Sequence, residues 1–482
     1  MTKKSLKTFL VLTLLSLKTF GQTTVNNFPL RLSEFAKGTT LPIQNEQKKT
    51  TLVMADEDKI HCYLLNDSLN VERNILIRED PRFLFKKTHI GNIAKGNLYS
   101  MFFYNKKEKN VIRFSLNYDS INVENRYNIN LWEEPEFFVD ATNLNKKVQV
   151  ISVNPITATF YVNELDENGR VEKKEFKYLQ LGATTVNLIN SKIHKNRSDF
   201  SKISYEGNIS LNTTQALEKL YAFDDQIVFT FDSNERNVTY LLTLNLKTNQ
   251  INFRNIAFPG LIRDLYSKTN SFIYNRKLFQ VISGNEELRI AIKELESGKT
   301  LKEFFVKNDR EIEFKNGAIM QNGGSTIYAP ESRELKTSNQ LLRKIGNSKV
   351  AIAVNRYSDS SFVMTVGSYL EIKGGGGGMM MSGFGGIPLG SVGGLSFSPF
   401  AAPSLYNFGN NKMTKSAYFK SILKADDFSH INGEVGKNTY DVMNNYEENL
   451  PNKEAKTVFA LKDKLIYGYY NSEYGKYYLV EF

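Results

Sequence analysis

LTLNLKTNQINFRNI, residues 242–256, decides the fold. Apolar side chains alternate through Leu242, Leu244 and Leu246. A polar turn follows, and alternation resumes through Ile251 and Phe253. Period two on both sides of a short polar break is the pattern of two half-buried strands joined by a hairpin. Four other stretches repeat it: YLLNDSLNVERNI from Tyr63, RFSLNYDSINVENRY from Arg113, YVNELDENGRVEKKEF from Tyr161 and AIKELESGKTLKEFFV from Ala291. The leucines just before the turns, Leu65, Leu116, Leu165, Leu246 and Leu295, lie 51, 49, 81 and 49 residues apart.

Each unit also has strands upstream. QIVFTF at 226–231 and Thr239 to Leu246 alternate on either side of the polar tip DSNERN. ENGR at 167–170 and ESGK at 296–299 supply the Asn-Gly and Ser-Gly pairs that tight turns require. Four short antiparallel strands at a period of 40 to 50 residues resemble the broad, divergent β-propeller class. The expected fold is therefore all-β: a β-propeller with seven blades, forming a single domain over residues 22–482. Six units fall near 50–80, 98–130, 136–180, 220–257, 272–308 and 345–428. The last strands, VFALKDKLIYGYY and KYYLVEF, are expected to pair with a strand from about residues 25–45, closing the ring without an open edge. Six blades, or two stacked β domains, are the alternatives. Within the 81-residue interval, SDFSKISYEGNISLNTTQALEKLYAF reads as an extra segment, with Asn212 or Thr213 capping a helix at QALEKL.

The chain begins MTKKSLKTFLVLTLLSLKTFGQ. A basic start, a short apolar run from Phe9 to Leu17 and small residues before Gln22 mark residues 1–21 as a secretory signal peptide. The run is about half the length a bilayer span needs, so the mature chain is expected to have no transmembrane segment. Removing four lysines from 62 basic and 51 acidic residues leaves +7. The lysines are scattered, with the densest group in NKKEKN at 105–110, a hairpin tip; no nucleic-acid stripe is present. Cys62 is the only cysteine and is expected to be a small buried hydrophobe.

Signals for chemistry are sparse. His61, His89, His194 and His430 have no metal-ligand spacing, so neither a metal nor a cofactor is expected. LDENGR at 165–170 and FDSNERN at 231–237 lack the full acidic set of a calcium loop and read as hairpin tips. WEEPEFF at 132–138 sets Trp132 beside Glu133, Glu134 and Glu136, a glycan-binding or glycosidic alternative. Convergence of Trp132 with Glu133 or Glu134 in a central pocket would favour it. DSL at 67–69 and DSI at 119–121 match an Asp-Ser-aliphatic acceptor pattern for O-glycosylation, both at expected turns.

The functional signal lies at 373–412. Between Lys373 and Lys412 stand 38 residues without a charge, in a chain that is 23% charged. Eleven glycines fall within Gly374 to Gly394. The flanks, SSFVMTVGSYLEIK and KSAYFKSILKADDF, read as the two strands of one hairpin, which makes this Gly/Met-rich stretch an arm inserted in one blade. Its apolar side chains, Met379, Met380, Met381, Phe384, Ile387, Leu389, Val392, Leu395, Phe397 and Phe400, are the expected partner contacts. Charge-poor, apolar sequence is the reverse of an ordinary disordered loop and an aggregation hazard unless something covers it. The competing expectations are a disordered, low-complexity loop with no job, packing back into the ring's own channel, and a scaffold in which the arm is a mere spacer.

The Gly-Gln cut, and a C-terminal strand that belongs to the ring and leaves no appended sorting domain, resemble envelope proteins of bacteria that use type IX secretion. That resemblance implies a periplasmic, non-enzymatic protein that docks on an envelope partner and plugs an outer-membrane export channel.

Overall fold

The computed structural model describes residues 23–33, 40–56, 59–78, 87–120, 124–196, 200–205, 207–260, 267–323, 332–371 and 414–482. The signal peptide at 1–21 and all ten contact residues of the arm lie outside the described residues.

Among the described residues, thirty strands form seven sheets of four or five strands, one per blade. Blade one holds β2 to β5 (Leu41–Gln44, Thr50–Ala55, Ile60–Leu65, Val71–Ile77). Blade two holds β6 to β9 (Thr88–Lys95, Leu98–Asn105, Asn110–Asn117, Glu124–Ile129). Blade three holds β10 to β13 (Phe137–Leu144, Lys147–Asn154, Thr159–Leu165, Val171–Lys177). In blade four, β14 (Ser201–Ile203) precedes β15 to β18 (Glu218–Phe223, Gln226–Ser233, Val238–Asn245, Gln250–Ala257). Blade five holds β19 to β22 (Lys268–Tyr274, Lys277–Ser283, Glu287–Glu294, Thr300–Lys307). Blade six combines β23 (Ile319–Asn322), β24 (Ser332–Leu335), β25 (Lys349–Ser358), β26 (Ser361–Glu371) and β27 (Thr414–Lys424). Blade seven joins β1 (Thr23–Pro29) to β28, β29 and β30 (Glu454–Leu461, Lys464–Asn471, Lys476–Glu481).

Burial follows position in the blade. The inner strand β10 buries five consecutive residues, whereas the outer strand β13 exposes most of VEKKEFK. Middle strands are apolar on both faces because each blade is covered by a neighbour on either side. The five landmark leucines are all buried, and each sits at the turn between the third and fourth strands. Gly169 adopts φ +77° in the ENGR turn, a backbone that L side chains rarely take. Its N–H closes the turn on the Asp166 carbonyl at 2.9 Å.

Ring closure takes the expected form with an adjusted position. β1 pairs antiparallel with β30 from Thr23↔Glu481 to Pro29↔Lys476, while β2 begins the next blade. Phe28 stacks on Tyr477 and fixes the joint. Between blades six and seven a helix, Thr439–Glu448, packs Met443 against Val458, Tyr467 and Val480. Asn438 and Asp441 form its capping box. Burial pushes the Tyr418 phenol of blade six up.

The expected units near 50–80 and 98–130 start too late, because inner strands β2 and β6 belong to them. QALEKL is not helical. Its last three residues open β15, which pairs with β16. The local helix is Leu211–Thr214, capped by the Ser210 side chain rather than by Asn212 or Thr213. Helix propensity in Ala, Leu, Glu and Lys lost to sheet pairing that buries Leu220 and Tyr221. A longer helix, Ala183–Asn196, also fills this interval and buries Ile189 and Ile193.

Candidate functional site

The root of the 373–412 insertion is a single hairpin. β26 pairs with β27 without a break from Ser361↔Lys424 to Glu371↔Thr414, so residues 372–413 connect two adjacent strands of one blade. β27 is also paired with β23. Phe362, Met364 and Val366 on one strand, and Phe419 and Leu423 on the other, are buried in the largest apolar cluster. Fully burying side chains of this kind stabilises by about 1.5–3 kcal/mol each. The insertion therefore starts from a rigid base, on the face where the second-to-third strand turns emerge.

The axis of the ring is occupied by a different segment. β14 lies parallel to β15, on its inner side, and residues within 202–205 and 207–214 reach other blades. Half-buried Lys202 pairs with buried Asp140 of β10 at 2.6 Å. Tyr205 donates to the Ile273 carbonyl of β19 at 2.8 Å. The Asn355 side chain of β25 clamps Ile209 twice, accepting from its N–H and donating to its C=O, each at 2.8 Å. Asn270 of β19 donates to the Thr214 carbonyl at 3.0 Å. This keystone thus ties blades three, four, five and six together. The expectation that the arm packs into the channel falls on residues outside those described.

Burial, reinforced by nearby Lys202, pushes the His89 imidazole down to about 3, so it is neutral near pH 7. Fully buried Lys219 faces Asp232 at 3.5 Å, and burial holds its ammonium below the usual lysine range. Asp232 also accepts from Thr239 Oγ1 and Ser271 N, both at 2.7 Å. Lys219 and Asp232 are thus matched to each other and to their neighbours inside the sheets.

The acids of WEEPEFF do not converge on a central pocket. Glu133 and Glu134 are exposed on the loop between blades two and three, and Glu134 pairs with Lys109. Trp132 packs against Tyr104 and Phe138. Buried Glu136 accepts from Ser152 and from Lys173 at 2.9 Å. Asp166 of LDENGR spends its carboxylate on the N–H groups of Asn168 and Arg170, at 2.9 and 2.8 Å, closing its own turn. Cys62 is buried on β4, and Ser68 of the DSL triplet is exposed in the β4–β5 turn. Among the described residues no cluster of three His, Cys, Asp or Glu could hold a metal, and no helix is long and apolar enough to cross a membrane.

On the face opposite the insertion root, a cavity of ≈ 650 Å³ opens at the mouth of the axis, lined in part by Tyr205, Phe223, Tyr274, Arg276 and Tyr440. Arg276 there is held by Asp224 and Glu296, each at 3.0 Å. Neither the keystone nor this cavity was read from the sequence; the 81-residue interval was the only trace of them.

No protein-family model matches the chain, and no curated protein matches it. Among solved structures, the WD40 domain of SCAP from fission yeast is similar at TM-score 0.34 and 10% identity, over 95% of this chain and 97% of that one. The Dos1 propeller is similar at TM-score 0.31 and 10% identity, over 96% of each chain. Prolyl oligopeptidase B from Galerina marginata is similar at TM-score 0.30 and 9% identity, over 68% of this chain but 38% of that one. Likeness this slight adds no argument; the propeller rests on the seven sheets and their closure.

Proposed function

We propose that this chain is an exported, periplasmic, non-enzymatic propeller that docks on an envelope protein through residues 373–412. In the finer form of the proposal the partner is an outer-membrane protein-export channel, which the ring caps and the insertion plugs. One observation carries the reading. An uncharged stretch of 38 residues rises from a hairpin paired to its last residue and buried in the core. The ring supplies a rigid platform, and Met379 to Met381, Phe384, Phe397 and Phe400 supply apolar contacts that adapt to an irregular groove. Ordering so many glycines costs free energy, so the partner must offer substantial apolar surface.

The test is site-specific photocrosslinking in the native cell. A photoreactive residue at Met380 or Phe397 is expected to trap one outer-membrane protein in high yield. The same probe at exposed Lys247, on the opposite face, is expected to trap none. Equal, diffuse crosslinking from all three positions would refute the docking role.

A further inference from the structure

On the face opposite the insertion root, two cavities meet. Beside the ≈ 650 Å³ cavity at the axis lies a second of ≈ 550 Å³, and Tyr274, Asn275, Arg276 and Arg356 line both. The lining comes from the turns between first and second strands of blades four, five and six, from the keystone and from the start of the helix Thr439–Glu448. Volumes of this size are those of small-ligand sites. Aromatic rings stand around the mouth. Ring centre to ring centre, Tyr205 lies 6.3 Å from Tyr274 and 6.4 Å from Phe223, both edge to face, and Tyr274 lies 6.2 Å from Phe362. The Tyr205 hydroxyl is spent on the Ile273 carbonyl at 2.8 Å, yet the residue stays 36% exposed, so the ring is what it offers the cavity. The charged groups of the lining are paired among themselves. Arg276 reaches Asp224 of blade four and Glu296 of blade five, each at 3.0 Å, and Arg356 pairs with Asp359. With Lys277 and Glu294, the described lining carries three cations against four acids.

A mouth this close to neutral has no excess charge for a phosphate or a carboxylate to meet. It holds two other things ready. One is a set of aromatic rings fixed by their neighbours. The other is planar polar groups: the exposed Asn275 amide, and the Arg276 guanidinium set between two carboxylates and half open to solvent. A pyranose matches both, because it turns C–H bonds to an aromatic face and carries hydroxyls, each a donor and an acceptor, on its rim. We propose that this mouth binds a neutral oligosaccharide, with Tyr205 and Tyr274 stacking on sugar rings and Asn275, Arg276 and Asp224 bonding hydroxyls. The meeting of two cavities at Tyr274 gives the ligand more than one sugar subsite. An extended peptide fits less well, since it is read along a free strand edge, and this lining is made of turns and side chains. The site shares no residue with WEEPEFF. It is also independent of the docking proposal, whose insertion leaves from the other face.

The experiment titrates the full mature protein calorimetrically with three neutral probes, cellotetraose, mannotetraose and chitotetraose, and with a sulfated heparin tetrasaccharide. At least one neutral probe is expected to saturate the protein, at an affinity that added salt leaves unchanged. Tyr274→Ala should weaken that binding about tenfold, whereas Tyr274→Phe, which keeps the ring, should bind as the native protein does. Arg276→Gln, exposed on its turn, should also lose about tenfold. Its melting temperature should hold, which keeps the test decisive if Tyr274→Ala fails to fold. Deletion of 374–409 and Glu134→Gln should each leave the affinity as it is, which separates this site from the docking role and from the WEEPEFF loop. No binding of any neutral probe, tighter binding of the heparin fragment, or native affinity in Arg276→Gln would each overturn the inference. Binding of an uncharged proline-rich peptide in place of the sugars would overturn it in favour of a peptide ligand.

Discussion

Two stretches interrupt the four-strand repeat, and they are built in opposite ways. The first lies between β13 and β15 and includes the keystone. It carries Lys202, Tyr205, Asn208 and Asn212, and its polar groups meet named partners on Asp140, Ile273 and Asn355. The second, between β26 and β27, has no charge from Gly374 to Asn411. Buried polar groups specify one arrangement because each must find its partner. A segment that stays inside a fold can therefore be recognised by matched polarity. A glycine-rich apolar segment has no such instructions, and in the proposed function a partner supplies them.

Removing polar groups should damage the first stretch and not the second. The largest effect is expected at Asp140→Ala, which takes from Lys202 the buried carboxylate it faces at 2.6 Å. Breaking a buried pair in this way costs about 3–5 kcal/mol, readable as a lower midpoint in urea.

His89 offers a second probe of the same region. Its folded pKa of about 3 lies below the unfolded value near 6.5. Between those values the unfolded chain binds more protons, so stability falls as pH falls. From pH 7 to pH 5 the loss from this group should be about 2 kcal/mol. His89→Asn should flatten that part of the pH profile even if it lowers stability at pH 7. An unchanged slope would mean that the imidazole is not buried as described.

Deleting 374–409 should do the reverse of Asp140→Ala. Shortening the β26–β27 connection from 42 residues to six lowers the closure entropy by roughly 1–2 kcal/mol. The ring should become slightly more stable, and a clear loss of stability would mean that the insertion packs within it. The smallest effect is expected at Glu134→Gln, where an exposed ion pair with Lys109 is removed. Stability should not change measurably, because exposed ion pairs contribute little. Loss of a measurable glycan affinity in that variant would revive the glycan reading.

The sequence showed the blades because alternation and turn chemistry are local. Leu65, Leu116, Leu165, Leu246 and Leu295 mark the same turn in five blades. Glycine at 169 and 298 marked two hairpins, and both adopt positive φ. Inner strands β2 and β6 were harder to read because LPIQ and THIGNIAK alternate weakly. Val186, Ile189 and Ile193 carried a helical spacing for Ala183–Asn196, obscured by Thr and Asn between them. The keystone was illegible for a deeper reason. Its meaning lies in partners such as Asp140 and Asn355, 62 and 153 residues from Lys202, and no local pattern encodes such pairs. The insertion, by contrast, was visible by composition alone, and its root lies where the flanking strands indicated.

The most direct test of the central claim is paired affinity purification from native membranes, with the full chain beside a variant lacking 374–409. The account predicts one outer-membrane protein recovered in near-equal amount with the full chain and lost with the deletion, while the deleted ring stays folded. Recovery of the same partners by both forms would contradict it and move the docking function to the surface of the ring.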